Sequence, residues 1–157
     1  MKFKCSLFAV ENIDLSRRFY EEILEQKVKY DFGENVTFHG DFAIQETKHY
    51  SNMVKIDRNE IIRKSNSCEL YFETEALDEA YIRLKESDFN IEFIHNIIEH
   101  PWGQRVIRFY DPNSIIIEVG ESMESVVRRM NSQGYTLEEI VEKSQHPLEF
   151  VKNAIGI

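Results

Sequence analysis

Cysteine is nearly absent from this chain, with two residues in 157. Cys5 and Cys68 stand far apart and form no C-x-x-C pair, which excludes a disulfide scaffold and makes a reducing cytoplasm the expected setting. Positive charge is also in short supply: 19 Lys and Arg face 28 Asp and Glu, a net charge of -9. That balance argues against a nucleic-acid backbone or an anionic membrane as partner, since both reward basic side chains. No apolar run approaches the roughly 18 residues that a membrane span requires. The opening "MKFKCSLFAVENID" has basic residues, but its apolar run stops at Glu11 and Asn12, too soon for a signal peptide.

What is present is ample core material: 11 Phe and 7 Tyr in a chain long enough for one domain, or for two small modules sharing a core. "FKCSLFAV" reads as a strand, and Asn12 as the N-cap of an amphipathic helix carrying Leu15, Phe19 and Ile23. "KVKYDFG", "NVTFHG" and "DFAIQE" then read as three strands joined by tight turns. The order returns later in the chain. "SCELYFET" is a strand with Glu69, Tyr71 and Glu73 on one face, and "ALDEAYIRLKES" an amphipathic helix. "FNIEFIHNIIEH", "GQRVIRFY" and "SIIIEVGE" follow as strands, the last two joined by the turn "DPNS". A β-α-β-β-β unit therefore occurs twice, at a spacing of roughly 60 residues. Between the copies, residues 47–67 form a polar connector that reads as an exposed crossover loop.

From Glu121 onwards the pattern becomes helical. Met123, Val126, Val127 and Met130 make one stripe, and Gly134 breaks the chain. Thr136 and Glu139 then fit a capping box, and Pro147 suits the start of a third short helix. The acidity of this tail argues against a DNA-reading helix-turn-helix and favours packing against the domain or a partner subunit.

Glu118 is the anomaly. It follows Ile115, Ile116 and Ile117 and precedes Val119, so a carboxylate lies inside a run that reads as a buried strand. Such a group is costly unless a cation, a donor or a wet cleft meets it.

The paired modules, "LSRRFYEEIL" after the first strand and "WGQRVIRFYDPNSIIIEVGE" at the close resemble the vicinal oxygen chelate superfamily. That group includes glyoxalase I, bleomycin-resistance proteins, fosfomycin-resistance enzymes and extradiol dioxygenases. The resemblance covers residues 1–121 and implies an α+β fold of two tandem βαβββ modules, about 1–46 and 68–121, joined by the connector 47–67. Together they would form a curved glyoxalase-like sheet with a central cleft, followed by a C-terminal helical extension over 122–157. Ser114 departs from the family pattern, which usually has Gly there.

By the same resemblance, metal ligands come from the first and last strands of each module, and the four slots fall on Cys5, Gln45, Glu69 and Glu118. Gln45 and Glu118 match the residue types usual in glyoxalase-like members; Cys5 and Glu69 stand where His is commonest. Two readings stay open. In one, a divalent metal (Zn, Ni, Mn or Fe) chelates two substrate oxygens, with Glu118 or Glu69 moving a proton, as in a lyase, isomerase or dioxygenase. In the other, the cleft binds a small molecule without metal, as drug-sequestering relatives do. No organic cofactor is expected, and a homodimer is. A third reading makes the helical tail an assembly or regulatory surface.

Substrate contacts are expected from Tyr71 and Glu73 on the face of Glu69, and from His100 and Trp102 as a rim around Pro101. Arg105, Ile107 and Phe109 alternate along one strand and share the face of Glu118 if the "DPNS" turn closes without a bulge. Arg105 would then neutralise Glu118 or Glu69, or hold an anionic group. His39, His49, His95 and His146 have no metal-ligand spacing and read as structural or exposed.

Overall fold

The computed structural model describes residues Met1–Ile157 and divides them into two compact units. The first comprises Met1–Glu69 with Glu86–Glu92 and Tyr110–Ile116; the second comprises Leu70–Lys85, Phe93–Phe109 and Ile117–Ile157.

The first unit holds a four-stranded sheet of β1 (Ser6–Val10), β2 (Val28–Asp31), β3 (Asn35–Phe38) and β4 (Phe42–Glu46), in the order β1-β4-β3-β2. β1 and β4 run parallel because helix α1 (Ile13–Glu22) carries the chain across between them; β2, β3 and β4 form antiparallel hairpins. Asn12 caps α1 as its position predicts, accepting from the Leu15 N–H at 2.9 Å. The helix buries Phe19 and Tyr20: Phe19 meets Phe89 edge to face, and Tyr20 packs on Phe38 and Phe42, whose rings stack at 4.7 Å between centroids.

Two expectations for this unit need correction. The first strand starts at Ser6, so Phe3 and Cys5 lie outside it and are exposed. The connector is not a plain loop: α2 (Thr47–Val54) and a 3-10 turn over Arg58–Glu60 occupy much of it. Its polar sequence hid the helix, because tertiary anchors hold it rather than an apolar stripe. The buried Thr47 hydroxyl donates to the Val10 carbonyl at 2.9 Å, and Arg63 donates to the Ala9 carbonyl and to Glu11.

The second sheet contains β5 (Glu69–Thr74), β6 (Glu92–Glu99), β7 (Arg105–Tyr110) and β8 (Ile116–Glu121), in the order β5-β8-β7-β6. Helix α3 (Leu77–Glu86) follows β5, and Tyr81 on it meets Phe93, which meets Phe109, both edge to face. The tail folds as α4 (Met123–Ser132), α5 (Leu137–Ser144) and α6 (Leu148–Ile155). Val126, Val127, Met130, Ile140 and Val151 form a shared core, so the apolar stripe of the tail closes largely on itself. The Thr136–Glu139 capping box is present at the start of α5. No helix is long and apolar enough to cross a membrane.

Glu121, at the end of β8, is buried and ties the tail to the sheet. It accepts from the Arg129 guanidinium of α4 at 2.8 Å, and from the Arg105 side chain and backbone N–H at 2.9 and 3.1 Å. Burial alone would raise the Glu121 carboxyl, but the hydrogen bonds from Arg129 and Arg105 outweigh it and hold the group below the ordinary glutamate range. A carboxyl with a lowered folded pKa stabilises the fold above its unfolded value, and that contribution is lost as pH falls through the folded one. Melting temperatures recorded from pH 7 towards pH 3 should therefore fall less steeply in Glu121→Gln than in the wild type. Equal slopes would contradict this assignment.

Candidate ligand-binding face

The turn between β7 and β8 decides which side chains meet Glu118. The Asp111 N–H donates to the Ile115 carbonyl at 2.9 Å, leaving Pro112, Asn113 and Ser114 as a three-residue loop. Ser114 adopts φ of +64°, the left-handed conformation that glycine takes without strain. Counting outwards from this closure sets Arg108 opposite Glu118 and Arg105 opposite Glu121. Both pairs are joined: the Arg108 guanidinium donates to Glu118, and Arg105 to Glu121 and Asp78.

This corrects the expectation for β7. Arg105 and Phe109 face α3, Arg105 through Asp78 and Phe109 through Phe93 and Tyr81; they do not share the side of the sheet that Glu118 occupies. The cation on Glu118 is Arg108, which the sequence reading passed over. Glu118 is 6% exposed, so the ion pair answers why a carboxylate can stand in an isoleucine strand.

Around that pair the second unit builds a polar surface on the side away from α3. The alternation of β8 sets Gly120 on the face of Glu118, and a Cβ at Gly120 would lie 3.2 Å from the Tyr71 ring and 3.0 Å from Gln104 Nε2. Glycine there lets the Tyr71 ring lie across β8. The Tyr71 hydroxyl donates to Glu73 at 2.8 Å and accepts from Gln104 Nε2 at 2.7 Å. Gln104 in turn accepts from the Trp102 indole N–H at 3.1 Å, and Trp102 stacks on His100 with centroids 4.4 Å apart. Burial first, then the Glu73 carboxylate, pushes the Tyr71 hydroxyl up to about 12, so it stays a donor at neutral pH.

His95 joins from β6. Its Nδ1 lies 2.7 Å from the Asn96 carbonyl, which only accepts, so Nδ1 carries a proton and in the neutral ring Nε2 is the acceptor facing Arg108 Nη1 at 3.5 Å. Burial, followed by the positive charge of Arg108 and the His95 ring, holds His100 below the ordinary histidine value. The expected Tyr71, Glu73, His100 and Trp102 thus form one group, to which the structure adds Gln104, Arg108 and His95. The signal that would have found Arg108 was Ser114: a family glycine at that place marks a left-handed residue, and with it the strand parity.

The four slots proposed for metal look different one by one. Cys5 is exposed ahead of β1, and Glu69 is the exposed first residue of β5. Gln45 is buried with both ends of its amide engaged, Oε1 accepting from Asn35 at 3.0 Å and Nε2 donating to the Glu34 carbonyl at 2.9 Å. Glu118 is held by Arg108. Nowhere do three or more His, Cys, Asp or Glu side chains gather in a way that suits a metal ion. As arranged, this donor set does not fit a divalent cation, because its strongest ligand already carries a guanidinium and its carboxamide is spent on its own hairpin.

Comparison with known proteins agrees with the architecture. A family model described as a glyoxalase-like domain matches residues 3–124. A crystal structure of a protein of unknown function from Agrobacterium tumefaciens is 34% identical, covering 78% of this chain and 94% of that one, with a TM-score of 0.66. A lactoylglutathione lyase from Agrobacterium tumefaciens is 20% identical, covering 77% of this chain and 93% of that one, with a TM-score of 0.55. A genomically encoded fosfomycin resistance protein from Listeria monocytogenes is 17% identical, covering 89% and 98% of the two chains, with a TM-score of 0.58. Comparison with curated proteins gives no match. The fold is that of tandem glyoxalase modules with a helical extension, and the chain belongs to the glyoxalase-like family of the vicinal oxygen chelate superfamily.

Proposed function

We propose that the face built from Tyr71, Glu73, Gln104, Arg108 and Glu118 binds a small organic molecule without the help of a metal ion. The observation that carries this reading is the Arg108–Glu118 pair: a guanidinium holds the carboxylate that would otherwise be the best cation ligand. Tyr71, about half exposed, and the His100–Trp102 stack offer flat surfaces to an unsaturated group. Exposed Glu73 offers a carboxylate to a hydroxyl or ammonium group. Structural neighbours with this fold include a fosfomycin resistance protein and a lactoylglutathione lyase, which supports small-molecule handling as the general role. Two exposed free cysteines support a reducing, cytoplasmic setting.

The test is a thermal-shift screen of small polar and aromatic compounds run twice, once with EDTA and once with added Zn²⁺, Ni²⁺, Mn²⁺ and Fe²⁺. Compounds that raise the melting temperature equally in both series, and lose that effect in Tyr71→Ala, are the expected result. Stabilisation that always requires metal overturns the reading. So does near-stoichiometric metal in untagged protein that disappears in Glu118→Gln, which would restore the metal-dependent alternative.

A further inference from the structure

We propose that the helical tail is a positioning device for the ligand face, with Arg129 as the residue that sets the Trp102–Gly103–Gln104 turn. The inference rests on the proposed binding role of that face but concerns a different part of the chain, one that lies almost wholly beyond the matched residues 3–124.

The connection is continuous. Arg129 Nη2 donates to the Gly103 carbonyl at 2.6 Å and to Glu121 Oε2 at 2.8 Å, so one guanidinium joins the turn to the end of β8. Gln104 Nε2 donates to the Glu121 backbone carbonyl at 2.8 Å, as well as to the Tyr71 hydroxyl. Gly103 has φ of +87°, which glycine adopts without strain, and a Cβ there would lie 2.0 Å from Met130 Cε, so the turn packs directly against a side chain of α4. Lys143 of α5 adds a contact to Glu99 at 3.1 Å, just ahead of the turn.

Without these contacts the turn would be tied mainly by its own short hydrogen bonds, the Gly103 N–H to the His100 carbonyl and the His100 N–H to the Gln104 carbonyl, both 2.8 Å. Gln104 and Trp102 are the side chains this turn presents to Tyr71 and the His100 ring. A tail that merely filled space would have no need of a guanidinium aimed at the turn's backbone.

The chain has a single tryptophan, so the position of the turn can be read from Trp102 fluorescence in the full-length protein without any ligand. Acrylamide quenching should rise about twofold in Arg129→Ala, as expected when local opening exposes the indole. Arg129→Lys should fall between the two, because an ammonium replaces a fork with a point charge. Arg128→Ala is the control: its neighbouring guanidinium pairs with Glu75 instead, and its quenching should equal that of the wild type. Wild-type quenching in folded Arg129→Ala, or an equal rise in Arg128→Ala, overturns the proposal. If Arg129→Ala gives no cooperative melt, the quenching of Arg129→Lys decides in the same way. Since no ligand enters the measurement, a rise in quenching alongside an empty ligand screen would sink the binding role and leave the clamp standing.

Discussion

Asp111→Ala lowers the unfolding free energy by about 3–5 kcal/mol, the loss expected when one buried acceptor of several hydrogen bonds disappears. Asp111 is 5% exposed, and its carboxylate meets three donors. Oδ2 accepts from the Tyr20 hydroxyl at 2.9 Å, and Oδ1 from the backbone N–H groups of Asn113 and Ile115, each at 2.8 Å. Alanine would strand a fully buried phenol and two turn amides together. Urea melts of Asp111→Ala, Tyr20→Phe and the double variant separate the parts. Tyr20→Phe alone should cost about 1–2 kcal/mol, and much less in the Asp111→Ala background, where the hydroxyl has already lost its partner. Fully additive losses would show that the two groups do not interact in the folded protein.

The pH dependence of this pair has the opposite sign to that of Glu121. Burial raises the Asp111 carboxyl above the ordinary aspartate value, against the pull of its donors. Between the unfolded and the folded pKa the native state therefore holds more proton than the unfolded chain, and stability falls as pH rises through that window. Acid therefore removes the stabilising contribution of Glu121 but not that of Asp111, so the carboxyls at the two ends of β8 respond oppositely to pH.

Local signals in the sequence were legible wherever one short stretch carried its own chemistry. Asn12, the Thr136–Glu139 box and the Asp111 turn each satisfy nearby backbone donors, and each was visible before any tertiary contact was known. The β-α-β-β-β repeat was legible for the same reason, because alternation and helical period change at every boundary. The proposed ligand face was legible only in part. Tyr71, Glu73, His100 and Trp102 were in view, but Arg105 and Arg108 exchanged roles. They lie three residues apart on one strand, and their facing depends on whether the loop has an odd or even number of residues. Gln104 and Arg129 carried no signal, since an amide before a strand and an arginine on the polar side of a helix become informative only once Gly103 and Glu121 are seen beside them. The connector helix was missed because Arg63, Thr47 and Glu11 hold it by polar contacts distant in sequence.

Arg108→Met should be as costly as any change in the second unit. Removing one member of a buried ion pair leaves the other uncompensated, a loss of about 3–5 kcal/mol. For a chain of this size that is on the order of 10 °C in melting temperature. Arg108→Lys should lie between the two, because an ammonium keeps the charge near Glu118 but does not reproduce a fork that also reaches towards His95. Replacing both members, Arg108→Met with Glu118→Leu, should recover most of the loss, since two apolar side chains leave no charge to desolvate. The order wild type, double variant, Arg108→Lys, Arg108→Met is the expected outcome of denaturant melts. If Arg108→Met melts like the wild type, Glu118 is comfortable in water, its guanidinium partner is incidental, and the carboxylate is open to a metal after all. The folding energetics of one ion pair therefore bear directly on whether Glu118 is available to a metal.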